Sequence, residues 1–243
     1  MESLREIFNN LNGKLIQKWD HYIEVYDLYF NKYRGKEVNV LEIGVSQGGS
    51  LEMWKKYFGE KMHLYGLDVN PRCRELEDEQ VTIFIGDQGD RNFLNELKNK
   101  IPKIDILIDD GGHTMIQQIT TFEEMFQHVK DDGIYLCEDT HTSYIDAFHG
   151  GYKKKSTFME YSKNFVDYIN AWHSENKKKL DVTDFTKSVY GLHFYTGMVL
   201  IEKKQMKPPV DIRKGALTVG YVDYPAQKKE SILKQVKKKI KKI

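Results

Sequence analysis

The sequence predicts an α/β protein with a mostly parallel sheet and helices on both faces. Short apolar runs of β type alternate with helical stretches of ten or more residues, and that alternation means βαβ crossovers. Glycine and acidic residues cluster just after the apolar runs, at the carboxyl ends of the expected strands. With 40% hydrophobic and 12% aromatic residues, the 243-residue chain has enough apolar surface for a large core.

Along the chain, large apolar residues from Trp19 to Tyr33 recur at helical spacing, which predicts an amphipathic helix entered from a polar N-terminal segment. Gly35 ends it. Val38 to Gly44 reads as the first strand, and Ser50 is placed to cap the next helix. Strands follow at His63–Asp68 and Val81–Ile85, a helix at Arg91–Lys100, a strand at Ile104–Ile108 and a helix at Met115–Val129. Gly133–Cys137 is the fifth strand, and a helix lies around Phe158–Trp172. Leu192–Tyr195 and Met198–Ile201 flank Thr196-Gly197 as a hairpin closing the sheet. One domain is expected to end near Ala226. From Gln227, the apolar residues Ile232, Leu233, Val236, Ile240 and Ile243 recur among lysines as a basic amphipathic tail. Such a tail suits peripheral contact with an anionic membrane, packing against another subunit, or fraying.

Composition narrows the class. No apolar run approaches the roughly 18–20 residues of a membrane span, and the first ten residues are too polar for a signal peptide, so a cytoplasmic location is expected. Cys73 and Cys137 are the only cysteines, too few for a disulfide framework or a structural zinc site. A net charge of +1 gives no global field to attract nucleic acid, and no nucleic-acid partner is expected. Only six of the 37 basic residues are arginine, the usage of an AT-rich genome.

In an open parallel sheet, ligands sit beyond the carboxyl ends of the strands. The first strand runs into Glu42-Ile43-Gly44-Val45-Ser46-Gln47-Gly48-Gly49-Ser50, where Gly44 allows a tight turn. The second ends in Asp68, a carboxylate suited to a ribose diol; the third ends in Gly86-Asp87-Gln88, placed to meet an adenine. The glycine spacing fails the dinucleotide fingerprint. Glu42, two residues before Gly44, favours a cofactor with a cationic amino-acid moiety, and S-adenosylmethionine fits better than NAD. The bland alternative is a glycine turn that binds nothing. Ser50 and Asp109 are grouped with the cofactor residues, although Asp109 equally suits a helix cap.

The fourth and fifth strands end in Asp109-Asp110-Gly111-Gly112-His113 and Glu138-Asp139-Thr140-His141. If these strands are neighbours, Asp110, Glu138 and Asp139 converge on one hard cation such as Mg²⁺, with His113 facing the same point as a general base. The alternative is a solvated acidic turn.

The segments LEIGVSQGGSLEMWKKYF, GDQGD, IDDGGH and EDTHTSY, in this order, closely resemble the metal-dependent sugar O-methyltransferases of macrolide biosynthesis, of the mycinamicin and tylosin type. The resemblance runs from about Trp19 to Tyr195. It implies a Rossmann-like class I methyltransferase fold, a seven-stranded sheet with its last strand antiparallel, and a homo-oligomer. By position it gives Glu42, Gly44, Asp68, Asp87 and Gln88 to S-adenosylmethionine, Asp110, Glu138 and Asp139 to the metal, and His113 to the base. Gly112 stands where serine is common, and the lysine-rich tail is an addition. The expected acceptor is a sugar with vicinal oxygens. The segment His149–Lys155 reads either as a lid whose lysines meet the diphosphate of a nucleotide-linked sugar or as no more than an exposed charge run. The AT-rich composition favours a bacterial surface polysaccharide, such as a capsule heptose, over an antibiotic. Competing readings are a catechol-like or phosphorus-linked acceptor, or a non-catalytic S-adenosylmethionine-binding module.

Overall fold

The computed structural model describes residues 2–220, and the alternating pattern builds one seven-stranded sheet within them. The strands are β1 (Val38–Ile43), β2 (Met62–Asp68), β3 (Val81–Ile85), β4 (Ile104–Asp109), β5 (Val129–Cys137), β6 (Val189–Tyr195) and β7 (Met198–Lys203). Their order is β3-β2-β1-β4-β5-β7-β6. β1 to β5 pair in parallel, and β7 runs antiparallel to both of its neighbours. The order reverses between β1 and β4, which makes their carboxyl ends the place for a ligand crevice.

Register puts the chemistry there. Ile43 pairs with Asp109, and Asp109 with Cys137, so Gly44, Asp110 and Glu138 come abreast one residue beyond three adjacent strands. Backbone bonds continue the pairing past the strand ends: Asp110 N–H donates to Ile43 O at 2.9 Å, and Glu138 N–H to Asp109 O at 2.9 Å.

The helices are α1 (Leu4–Asn9), α2 (Tyr22–Phe30), α3 (Gly49–Phe58), α4 (Arg91–Lys100), α5 (Met115–Met125), α6 (Phe158–Ile169) and α7 (Asp184–Ser188). One apolar layer joins Leu4, Tyr26, Phe30, Trp54 and Phe58 to one face of the sheet; Leu94, Phe122, Phe126 and Phe165 cover the other.

Several boundaries differ from the periodicity. α1 and α7 are too short to show a helical repeat, and each is fixed by a capping box, Ser3 with Glu6 and Thr183 with Thr186. The helix expected from Trp19 starts at Tyr22, because Trp19 is turned toward the strand ends, and its last residues form a 3₁₀ turn, Asn31–Tyr33. α5 stops at Met125 rather than Val129. There the buried Lys203 ammonium donates to Phe126 O and Val129 O, and Val129 already pairs with Ile104. β5 therefore begins four residues before the expected Gly133, with an irregular register opposite Ile104 to Ile106. Ser50 is not the cap of α3: Gly48 holds that position in the left-handed region, φ 79°, and Ser50 lies inside the helix.

The chain divides into two units, Met1–Pro208 and Pro209–Ile243. Residues 209–220 are exposed and without regular structure, and the amphipathic tail from Gln227 lies outside the described residues. Among the described residues no helix is long and apolar enough to cross a membrane.

Candidate active site

The turn from β1 into α3 forms one wall of a cleft of about 570 Å³. Gly44 has φ 93°, and a Cβ there would sit 2.0 Å from the carbonyl oxygen of Asp110, so only glycine lets the two strand ends approach this closely. Asp68 fixes the same turn: its Oδ2 accepts from the backbone N–H groups of Val45 and Ser46, each at 2.9 Å, and its Oδ1 from Asn70 N–H at 2.8 Å.

Glu42 is fully buried behind the turn and does not line the cleft. Ser50 Oγ–H donates to its Oε2 at 2.9 Å and Trp54 Nε1–H to its Oε1 at 3.3 Å. Burial raises the Glu42 carboxyl to about 7, against the opposing pull of the Lys18 ammonium. Ser50 lines the cleft with its hydroxyl committed to Glu42.

The residues expected to meet an adenine divide. Asp87 is exposed, outside the cleft lining, and accepts from Gly89 N–H at 2.8 Å. Gln88 lines the cleft but is buried, its amide donating to Asp109 Oδ1 at 2.7 Å and Thr121 Oγ1 at 3.0 Å, while its Oε1 accepts from Gly112 N–H at 2.8 Å. Asp109 is likewise buried, away from the cleft lining, and desolvation raises its carboxyl to about 7. Its place is in the support beneath the loop after β4.

At the ends of β4 and β5 the structure brings Asp110, His113 and Asp139 together, with one ligand atom from each lying within 4.8 Å of the others. His113 Nε2 lies 3.8 Å from Asp110 Oδ1 and 3.6 Å from Asp139 Oδ2. His113 and Asp139 both have left-handed backbone, φ 57° and 50°, a conformation that costs of order 1–3 kcal/mol and gathers at functional sites. His113 Nδ1 is buried and has no hydrogen-bond partner among the described residues. Gly112 leaves room for the α5 capping box: a Cβ there would lie 2.3 Å from Gln117 Oε1, which accepts from Thr114.

Glu138, the third expected metal ligand, is turned to a different set. Tyr26 Oη–H donates to its Oε1 at 2.6 Å and the Lys18 ammonium to its Oε2 at 3.0 Å. Lys18 also donates to Asp110 Oδ2 at 2.5 Å. Burial would lower the Lys18 ammonium, but Asp110, Glu138 and Glu42 together hold it above the ordinary lysine range. Burial, reinforced by Asp110, pushes Glu138 up to about 8. Asp139 Oδ1 accepts from Trp19 Nε1–H at 3.1 Å and Tyr22 Oη–H at 2.9 Å. Carboxylate oxygens from two adjacent strands, with one imidazole beside them, are the donors a hard divalent cation takes.

Sequence reasoning missed Lys18, Trp19, Tyr22 and Tyr26 as site residues. The tyrosines carried a usable signal: i and i+4 on a buried helix face, they bring hydroxyls that need partners, where leucines would bring none. Lys18 sits in an irregular stretch and carried none. The His149–Lys155 run forms a turn outside the cleft lining.

The sheet order, the single antiparallel strand and a cleft beyond β1 and β4 define the class I methyltransferase fold. No family model matches the chain. It is 34% identical over 215 residues to demethylmacrocin O-methyltransferase of Streptomyces fradiae, covering 83% of this chain and 54% of that protein. It is 33% identical over 191 residues to the 8-demethyl-8-alpha-L-rhamnosyl tetracenomycin-C 2'-O-methyltransferase of Streptomyces olivaceus, covering 75% and 50%. Among solved structures, the MycE methyltransferase of mycinamycin biosynthesis, in complex with Mg, SAH and mycinamycin VI, superposes with a TM-score of 0.76 at 29% identity, over 84% of this chain and 54% of that one. Over the matched part, the chain is thus a relative of the sugar O-methyltransferases of macrolide and tetracenomycin biosynthesis. It spans about half the length of these relatives.

Proposed function

We propose that the protein is an S-adenosylmethionine-dependent O-methyltransferase that uses a divalent cation, Mg²⁺ or a similar ion, to methylate a sugar hydroxyl. The observation that carries the reading is the convergence of Asp110, His113 and Asp139 on one wall of a cleft whose other wall is the Gly44 turn and Asp68. The relatives are named as O-methyltransferases, one of them acting on a rhamnosyl compound, and a neighbouring structure holds Mg and SAH, in line with that donor set.

When bound, S-adenosylmethionine supplies an electrophilic methyl group and the cation supplies positive charge beside an acceptor hydroxyl. Asp110 and Asp139 would hold the cation, with Glu138 joining once it is released from Lys18. The glycine turn and Asp68 would hold the methyl donor, with Glu42 buried behind the turn and bonded to Ser50 of the cleft wall. Asp68 has two oxygens already accepting backbone bonds, so it reaches a ribose only with its remaining lone pairs. His113 accepts the hydroxyl proton at Nε2, the nitrogen facing both aspartates. Its left-handed backbone and the Gly112 turn fix that direction.

For the acceptor we propose a nucleotide-linked sugar, for example a heptose destined for a bacterial surface polysaccharide such as capsule. Lys153, Lys154 and Lys155 are exposed in the turn that follows Phe148, whose ring lies 6.5 Å from that of His113, and they offer charge for a diphosphate. We also propose a homo-oligomer, and contact of the tail with anionic membrane.

The test is methyl transfer from labelled S-adenosylmethionine to a panel of nucleotide sugars, free sugars, glycosides and catechols. Label on nucleotide sugars supports the acceptor class. Label on glycosides alone keeps the sugar and removes the nucleotide, and label on catechols alone removes the sugar.

A further inference from the structure

Lys18 holds oxygens of two of the three carboxylates expected to bind the cation, Asp110 and Glu138, and keeps Glu138 apart from the Asp110, His113 and Asp139 cluster. Its ammonium nitrogen is 2.5 Å from Asp110 Oδ2 and 3.0 Å from Glu138 Oε2, and the side chain is 3% exposed. A divalent ion such as Mg²⁺ binds oxygen ligands at about 2.0–2.1 Å and accepts no protonated amine among them. An ammonium and a dication cannot both sit against the same pair of oxygens, because each would displace and repel the other.

The stretch that carries Lys18 is irregular; its Leu15-Ile16 backbone rests against Gly49 and Ile16 packs on the core, so the part held only by polar contacts to the strand ends is Lys18 and Trp19. Between α1 and α2 it has no regular structure, and Leu15 and Trp19 are 72% and 54% exposed. Its attachments to the strand ends are the Lys18 ammonium on Asp110 and Glu138 and the Trp19 indole on Asp139, so all three expected metal ligands are engaged by two consecutive residues. At its other end Lys14 N–H donates to Glu52 Oε2 at 3.1 Å, a bond that the exchange leaves alone.

We propose that Lys18 is a resident counter-cation of the metal site, exchanged for the divalent ion when the metal binds, so that metal binding releases Lys18 and its neighbour Trp19 from the ends of β4 and β5. This rests on the metal reading proposed above. In the metal-free protein the ammonium spares Asp110 and Glu138 an unpaired burial. The exchange lowers apparent metal affinity by the fraction of time in which Lys18 holds the site.

Two measurements on the full-length protein test it. Calorimetric titration with MgCl₂ or MnCl₂ compares wild type with Lys18→Met; a competitor that holds the site nine-tenths of the time predicts about tenfold tighter binding by the variant. Equal or weaker binding by a folded Lys18→Met overturns the exchange. The second measurement needs no variant. Wild type is acetylated with an amine-reactive ester, in EDTA or in MgCl₂, and Lys18 is read by peptide mass spectrometry against Lys14. Exchange predicts Lys18 protected in EDTA and labelled several-fold more in Mg²⁺; unchanged protection in protein shown by calorimetry to bind Mg²⁺ overturns it. No metal binding by either folded protein would remove the metal reading itself, and the exchange with it.

Discussion

His113 Nε2 lies 3.6 Å from Asp139 Oδ2, and both residues hold left-handed backbone at the ends of adjacent strands. The conformation turns an imidazole and a carboxylate toward one point in the cleft, where a hydroxyl and its charge can be handled together.

Replacing His113 by alanine removes the proposed base and leaves the Gly44 turn and Asp68 untouched. Turnover is expected to fall by about 10²–10⁴, the usual worth of a positioned base, with little change in affinity for S-adenosylhomocysteine. Initial rates of methyl transfer and calorimetry of the product separate the two effects. Full activity in the variant would take the proton-acceptor role from His113.

Asp139→Asn keeps an acceptor oxygen for Tyr22 and Trp19 but loses a charge. The Mg²⁺ concentration for half-maximal activity is expected to rise by at least about tenfold, equivalent to some 1.4 kcal/mol. An unchanged Mg²⁺ titration would place the cation elsewhere.

Glu42 gives a pH dependence with a definite sign. Its carboxyl is raised by burial from the ordinary 4.5 to about 7, so between those values the folded protein holds a proton that the unfolded chain has lost. Stability from this group is full below about 4.5 and is lost as pH rises through 7. Glu42→Gln, which keeps an acceptor for Ser50 and Trp54, should raise the melting temperature at pH 8 relative to wild type and have little effect at pH 4.5. Thermal denaturation of both proteins across that range checks it; an equal offset at both ends would contradict the assignment.

Gln88→Leu should cost stability rather than only cofactor affinity. It strips partners from the Gly112 N–H and the Asp109 carboxyl, both inside the support of the β4 loop. A loss of about 1–3 kcal/mol is expected, the cost of leaving buried polar groups unpaired. Chemical denaturation measures it, and wild-type stability with weakened nucleotide binding would return Gln88 to the adenine.

The strands and the acidic strand ends were legible because a buried parallel sheet writes each strand as an apolar run and puts its polar residues just beyond. Asp110, His113, Glu138 and Asp139 were singled out that way as candidates, and the structure gathers Asp110, His113 and Asp139. What a side chain does behind the cleft was not legible. Glu42 and Asp109 are turned into the protein, Gln88 lines the cleft with its amide committed to Asp109 and Gly112, and Ser50 serves Glu42 instead of a helix end, because hydrogen bonds among buried groups depend on packing that no local pattern encodes. Lys18 was invisible for the same reason: its partners lie 92 and 120 residues away in the sequence. The five- and six-residue helices α7 and α1 escaped because two turns are needed before a helical period shows.

The central claim is that the cluster beyond β4 and β5 is a metal-assisted methyl-transfer centre, and its most direct test is the rate of methyl transfer to a sugar acceptor by the EDTA-treated protein before and after Mg²⁺ is returned. Transfer abolished by EDTA, restored by Mg²⁺, and not restored in Asp110→Asn is the predicted result. Transfer that proceeds at full rate in EDTA would contradict it and leave the methyltransferase fold without its metal.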